Sequence, residues 1–287
     1  TAPTGLPGLT MIGGYSGSDG TVSVRDGASL NVAGSVEAGT GGGTGRVALV
    51  GGRLIAKNVK GGVGGWSELY ADGGTLCASN VSASVNLLVS FGQASLGATG
   101  LTLDSAGYDA TVGQAFADAP GVDGLFLKTG AGTLSVSNSA HALTAVAQGT
   151  LRALSAAATF GRTLVVTNQA ALSLVGPATN LTVGALTLGG AAAPTTLYLD
   201  AGDRITVTNS GGLTLANCGL VFGSPSANGA YTLLRCAGSL DASVLSKLSL
   251  FNPSVGKSYT FTVAANGPDS EIRLAVGDLV ASDALWN

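Results

Sequence analysis

The sequence predicts an all-β fold, a parallel β-solenoid that ends in an atypical C-terminal β segment. Three observations carry that prediction. Period-two alternation dominates and helical periodicity is nearly absent. Glycine-bearing turns separate runs of four or five residues. Core aliphatics recur at near-equal steps, the mark of a repeat architecture.

The runs "GTVSV", "ASLNV" and "RVALV" open the series, and "TLSVS", "TLVVT", "ALSLV", "TLYLD", "RITVT" and "GLTLAN" continue it. Between them stand "RDGAS", "VGGR", "ADGG", "TGAG" and "NSGG", where glycine supplies backbone angles that a Cβ penalises. Leu164, Leu172, Leu181, Leu197, Ile205, Leu213 and Leu220 lead successive strands, mostly at steps of seven to nine residues. That spacing suits an antiparallel sandwich as well as a solenoid with two or three strands per coil of roughly 20–25 residues. "VSVRDGASLNV" on its own has the form of a hairpin, Asp-Gly being a strong two-residue turn signal. A sandwich core usually carries large aromatic anchors, whereas this chain has seven Phe and two Trp in 287 residues. Small aliphatics in even steps favour the solenoid, and roughly a dozen coils would make a rod of about 60 Å.

Composition agrees. Charged residues make up 10%, against about 25% in an average soluble domain. The hydrophobic fraction of 45% is enough for a core, so the 46 glycines do not signal disorder. The net charge is -3, and its thirteen basic residues are scattered, which argues against a nucleic-acid partner. No apolar run approaches the roughly 18 residues of a membrane span. The start "TAPTGLPG" carries neither Met nor signal peptide, as in a processed protein or part of a longer one. Residues 1–222 read as solenoid coils. From 223 to 287 the spacing lengthens and charge rises, as in a terminal or capping segment of the same solenoid; a separate small β-domain is the other reading. Asp241 is placed to cap a short helical turn in "DASVLSKL".

The centre of the chain, residues 101–154, resembles the autotransporter-associated β-strand repeat, also called the passenger-associated transport repeat. The resemblance rests on "LKTGAGTLSVS", with Leu127, Lys128, Thr129, Gly130, Gly132, Thr133 and Leu134, and on "GTLRAL", with Gly149, Thr150 and Leu151. "YTLLRCAGSL" resembles the segment that closes such modules, and the final "ALWN" the start of another. The resemblance implies a right-handed parallel β-helix on the bacterial surface or secreted beyond it. It implies no shared activity, because such passengers include adhesins, enzymes and stalks. The stretch "SNSAHALTAV" departs from the family pattern, and no translocator barrel follows, so membrane insertion by this chain is not expected.

Residue chemistry is sparse. Asp200, Asp203 and Arg204 read as a turn with a salt bridge to its own strand. Asp269, Glu271 and Arg273 read as a solvated edge. A Ser/His/Asp system would need His141, the one histidine, and no G-x-S-x-G elbow accompanies it. Neither a calcium nonapeptide nor a P-loop is present, "EAGTGGGTGRV" lacking the residues for both. No cofactor or metal is expected. Cys218 and Cys236, separated by nearly one coil, are placed either to form a disulfide between coils or to be buried thiols, and Cys77 reads as a core residue. Asn80 and Asn180 fall in glycosylation sequons. An aromatic platform for glycans would draw on Trp66, Tyr70 and Trp286, and loops 37–45 and 61–66 are the exposed candidates. The expectation is therefore a secreted, non-enzymatic structural β-helix, acting as stalk, adhesive module or fibre subunit; the rival reading is a carbohydrate-binding or polysaccharide-active passenger, the latter needing clustered carboxylates in a cleft. Its partners would be copies of itself stacked head to tail, adjoining modules or surface glycans.

Overall fold

A computed structural model gives the structure of residues 10–79, 86–137, 139, 141–167, 169–174, 176 and 179–279. The first nine residues, the Asn80 sequon and the terminal "ALWN" with Trp286 lie outside the described residues. Parallel strands stack into a β-solenoid of about 8 turns, and helix accounts for 2% of the chain. Each coil has three faces. An 18-stranded sheet folds around one corner and supplies two of them. Its two ladders share the long bent strands Ser29–Ala38 and Arg53–Gly61, whose register shifts where each rounds the corner. The first-face ladder runs through eleven strands, from Thr10–Ile12 to Leu248–Leu250. The second runs through nine, ending at Leu213–Leu215. A 5-stranded and a 6-stranded sheet form the third face. Ser139 stands between them, bridged to Phe160 and accepting from Phe116 N at 3.3 Å.

The turns number fewer than the dozen coils expected, while the longest ladder, eleven strands at ~4.8 Å, spans about 50 Å. Coils also vary in length. Leu125 lies beside Leu143 after a short coil, whereas Leu76 lies beside Leu103 after a much longer one. The turns absorb most of this variation, and the parallel strands keep register except at the bent corner and between Thr111 and Val112. Asp26 and Gly27 both have positive φ, as the Asp-Gly signal predicts. Yet the strands they join, Asp19–Arg25 and Ser29–Ala38, lie on different faces and pair with later coils. The turn makes a corner, not a hairpin.

Stacking in register sets the core. One interior row runs Leu30, Leu54, Leu76, Leu103, Lys128, Val146, Val166, Leu188, Leu215, each beside the next. Another runs Ala110, Leu134, Leu151, Leu172, Leu197, Leu220, Leu250. Of the predicted core aliphatics, all but the partly buried Leu213 are almost fully buried. The alternation in "LFLKT" places Leu125 and Leu127 together, but on the outside. Phe126 and Lys128 face in.

The C-terminal segment continues the solenoid and then departs from it. Gly229–Cys236 joins the third face in parallel. The 3₁₀ helix Ala242–Lys247 follows, with the Asp241 carboxylate capping Ser243 N at 2.7 Å. Leu248–Leu250 adds the last first-face strand. The hairpin of Lys257–Asn266 and Asp269–Asp278 then closes the third face antiparallel.

Because Leu172 is fully buried between Leu151 and Leu197, Leu172→Ala should lower stability by about 2–5 kcal/mol in urea unfolding. Thr163→Ala, on the outer side of its strand, should change it by no more than about 0.5 kcal/mol.

Candidate functional site

The two halves of the repeat motif stack on each other. Thr133 lies beside Thr150 and Leu134 beside Leu151, so "GTL" sits on "GTL" one coil later. Gly132 passes so close to the preceding coil that a Cβ would fall 1.9 Å from the Tyr108 carbonyl oxygen. Lys128, wholly buried, pins this corner. Its ammonium donates to Thr129 O at 2.7 Å, Gly130 O at 2.6 Å, Ser105 Oγ at 3.1 Å and Gln148 O at 3.1 Å. These acceptors lie on three successive coils, and carbonyls turned inward at a tight corner need such a donor. Burial pulls the amine down to about 8, against the pull of Asp104 and Asp109. By alternation Lys128 reads as one more strand residue; nothing local in the sequence marks it as a staple.

His141 sits one coil further on, where the third face breaks between its two sheets. Its Nδ1 meets Ser139 Oγ at 2.6 Å and its Nε2 meets Thr144 Oγ1 at 2.7 Å. Phe126 packs against the imidazole at 5.7 Å between centroids, and Phe116 against Phe126 at 5.4 Å. The adjoining cavity measures about 10 Å³, room for about one water. A serine therefore does touch the histidine, but the third group is a hydroxyl and all three side chains are buried. Burial pushes the imidazole down to about 4.

The other candidates resolve into structural roles. Asp203 is buried and accepts from Thr179 N and Asp200 N, both at 2.7 Å. The expected turn is there, but backbone amides replace the salt bridge. Glu271 is not on a solvated edge: its strand lies between two others, the residue is 5% exposed, and its carboxylate is held by Arg273, Asn266 and Thr232. Arg235 pairs Asp269 at 2.8 Å. Cys218 and Cys236 form no disulfide. Both are free and buried, and they belong to different sheets, Cys218 in the first face and Cys236 in the third. Burial raises these thiols to about 12 and about 11. Cys77 is buried but lies on the outer side of its strand. It is roofed by Arg53, whose Nη2 stands 2.9 Å from the sulfur and 3.2 Å from Asp104 Oδ2. Among the described residues no cluster of His, Cys, Asp or Glu is arranged to hold a metal.

Two surfaces remain. A shallow groove on the first face is lined by Thr133, Thr150, Arg152, Ser173 and Tyr198. Trp66 and Tyr70 share an outer row, but Glu68, paired with Arg46 at 3.0 Å, stands between them. Asn180 is exposed on the third face, and residues 39–43 form a glycine-rich corner in the first candidate loop. The second surface is the pair of solenoid ends. At the N-terminal end, Thr10–Ile12 and Asp19–Arg25 are each paired on one side only among the described residues, with Met11 and Tyr15 exposed beside them. At the other end the outermost strand is Lys257–Asn266, with Phe251, Val255 and Leu279 exposed nearby.

No family profile, curated protein or solved structure matches this chain. The class it defines is that of the β-solenoids.

The inner polar groups make the fold sensitive to acid. Unfolded histidine titrates at ~6.5, so the stability that His141 confers by staying neutral is complete above that pH. It drains as pH falls from about 6.5 through about 4, a loss of about 3 kcal/mol. Urea midpoints at pH 7 and pH 4 should show it, and His141→Gln should flatten the difference. Lys128→Met should cost about 1–3 kcal/mol at neutral pH, because Gly130 O, Gln148 O and Ser105 Oγ lose the ammonium as donor, while Thr129 O keeps only its bonds from Ser105. An equal or higher urea midpoint would mean that the staple does not stabilise the corner.

Proposed function

We propose that the chain is a structural β-solenoid, a secreted module that serves as a stalk or adhesive spacer at a bacterial surface. The observation that carries this reading is the unbroken eleven-strand ladder, beside stacked interior rows that admit one charged side chain, Lys128, among the described residues. Such a body resists bending and extension through backbone hydrogen bonds, and its chemistry-bearing side chains are spent on its own corners. The in-register stack of "GTL" on "GTL" adds support to the likeness with autotransporter passenger repeats.

The fibre form of this reading, stacking head to tail, meets a geometric obstacle. Past the Cys218–Phe222 and Gly229–Cys236 coil, the first face gains one strand and the third face gains two. Among the described residues the C-terminal end is therefore stepped by about one strand spacing, ~4.8 Å. Among the described residues, the first strands of both faces at the N-terminal end are level. Stacking the level end on the stepped end leaves a vacant strand position on the first face.

A second reading, glycan binding, is favoured by the first-face groove. Tyr198 supplies an aromatic ring, Arg152 a charge, and Thr133, Thr150 and Ser173 hydroxyls along the strand-spacing ladder.

Negative-stain electron microscopy of the purified chain tests the structural reading: straight rods of about 50 Å are expected at low concentration. Bent or irregular particles would contradict it, as would turnover of an acidic polysaccharide. A glycan array with wild type and Tyr198→Ala tests the second reading. Retained binding by the variant would remove the groove from consideration.

A further inference from the structure

Among the described residues, the strand Lys257–Asn266 is the longest uncovered edge at the C-terminal end, and it has little of the usual protection against pairing. Edge strands are normally kept apart by charge, proline, a bulge or brevity. This one is ten residues long, regular in register with Asp269–Asp278, and uncharged from Ser258 to Asn266. Its first residue, Lys257, is held by Asp278 at 2.5 Å.

The direction of its free backbone groups follows from the ladder. Leu279 N donates to Gly256 O at 2.9 Å, continuing the register in which Lys257 faces Asp278. In an antiparallel pair the hydrogen-bonded positions alternate. Gly256 is one of them, so Ser258, Thr260, Thr262 and Ala264 bond inward to the hairpin partner. The N–H and C=O groups of Tyr259, Phe261, Val263 and Ala265 point to the open side. The side chains of Tyr259, Phe261 and Val263 are only half-buried, and the first two pack against the core. The apolar row thus ends without a neighbour.

We propose that this edge is a self-pairing surface, and that two copies of the chain join tail to tail by antiparallel pairing of their Lys257–Asn266 strands. A two-fold axis at Phe261 satisfies every constraint at once. Phe261 then faces Phe261 of the second copy as a hydrogen-bonded pair, and Tyr259 faces Val263. Every free donor and acceptor from Tyr259 to Val263 finds a partner, and Ala265 N–H meets Lys257 O, the Lys257 N–H being held by Ser254 O at 3.3 Å. Side chains keep their faces, apolar row meeting apolar row. Thr260 meets Thr262 on the solvent side. Lys257 faces Ala265 at the end of the apolar row, so no like charges oppose. The stepped end favours this arrangement, because the third face protrudes one strand beyond the first. The assembly is isologous and closed, a dimer rather than a filament, and it stands independently of the stalk reading.

The test is sedimentation velocity of the full chain across a concentration series, with two double variants on the exposed threonines. Wild type should pass from monomer to dimer and stop there. Thr260→Lys with Thr262→Lys sets like charges opposite each other across the axis and should weaken the dimer at least tenfold. Thr260→Lys with Thr262→Glu pairs opposite charges and should restore it. Amide exchange at Phe261 and Val263 should slow as wild-type concentration rises, which reports the edge directly without a variant. A wild type that stays monomeric, with exchange independent of concentration, would overturn the proposal. So would a double-lysine variant that dimerises unchanged. Species that grow beyond the dimer would overturn it in favour of head-to-tail stacking.

Discussion

Parallel in-register stacking is the constraint from which the rest of this molecule follows. Each backbone N–H and C=O along a face is satisfied by the coil above or below, so every side chain lies directly over its counterpart. An interior position must then be filled by residues of similar size through many coils. This is why Leu and Val repeat down rows such as Leu76, Leu103, Lys128, Val146, and why bulkier rings collect where the stack is irregular. Phe116, Phe126 and Phe160 gather where the third-face sheet is interrupted and the coil is short. They occupy volume that a regular strand would otherwise enclose.

The same constraint explains what the sequence shows and what it hides. Period-two alternation and even spacing of Leu164, Leu172, Leu181 and Ile205 are direct images of a narrow stacked core, so the fold is legible. The number of coils is less so. A period that shrinks between Leu125 and Leu143 and stretches between Leu76 and Leu103 is blurred in the sequence. Facing is hidden at "LFLKT", because a strand's pattern tells which residues go together but not which side is in. Lysine at an interior position breaks the composition rule that usually decides it. Its partners are mostly main-chain carbonyls, which have no sequence signature.

The polar residues that look like chemistry are mostly answers to backbone geometry. Asp203 reaches two amides at a corner, Ser139 and Thr144 saturate an imidazole, and the Glu271 carboxylate collects three side-chain donors. Proximity in sequence groups these carboxylates with their immediate neighbours. Beyond the local bonds of Asp203 to Asp200 and Glu271 to Arg273, the fold takes Asp203 to Thr179 on the preceding coil and Asp269 to Arg235 on the adjoining strand. The cysteines show the converse. Their spacing suggests stacking, but that interval carries the chain from one face to another, and the two sulfurs end in separate sheets.

In a solenoid each coil touches only its neighbours, so unravelling is a one-dimensional process that begins at a free end and advances coil by coil. Lys128 interrupts that chain of nearest-neighbour steps, since its ammonium is tied to Ser105, to its own turn and to Gln148 at once. A fraying front that reaches it must break contacts to three coils that share one ammonium. The rod is thus built as two zippers meeting at a rivet, its buried cross-coil ammonium placed near the middle, away from both ends.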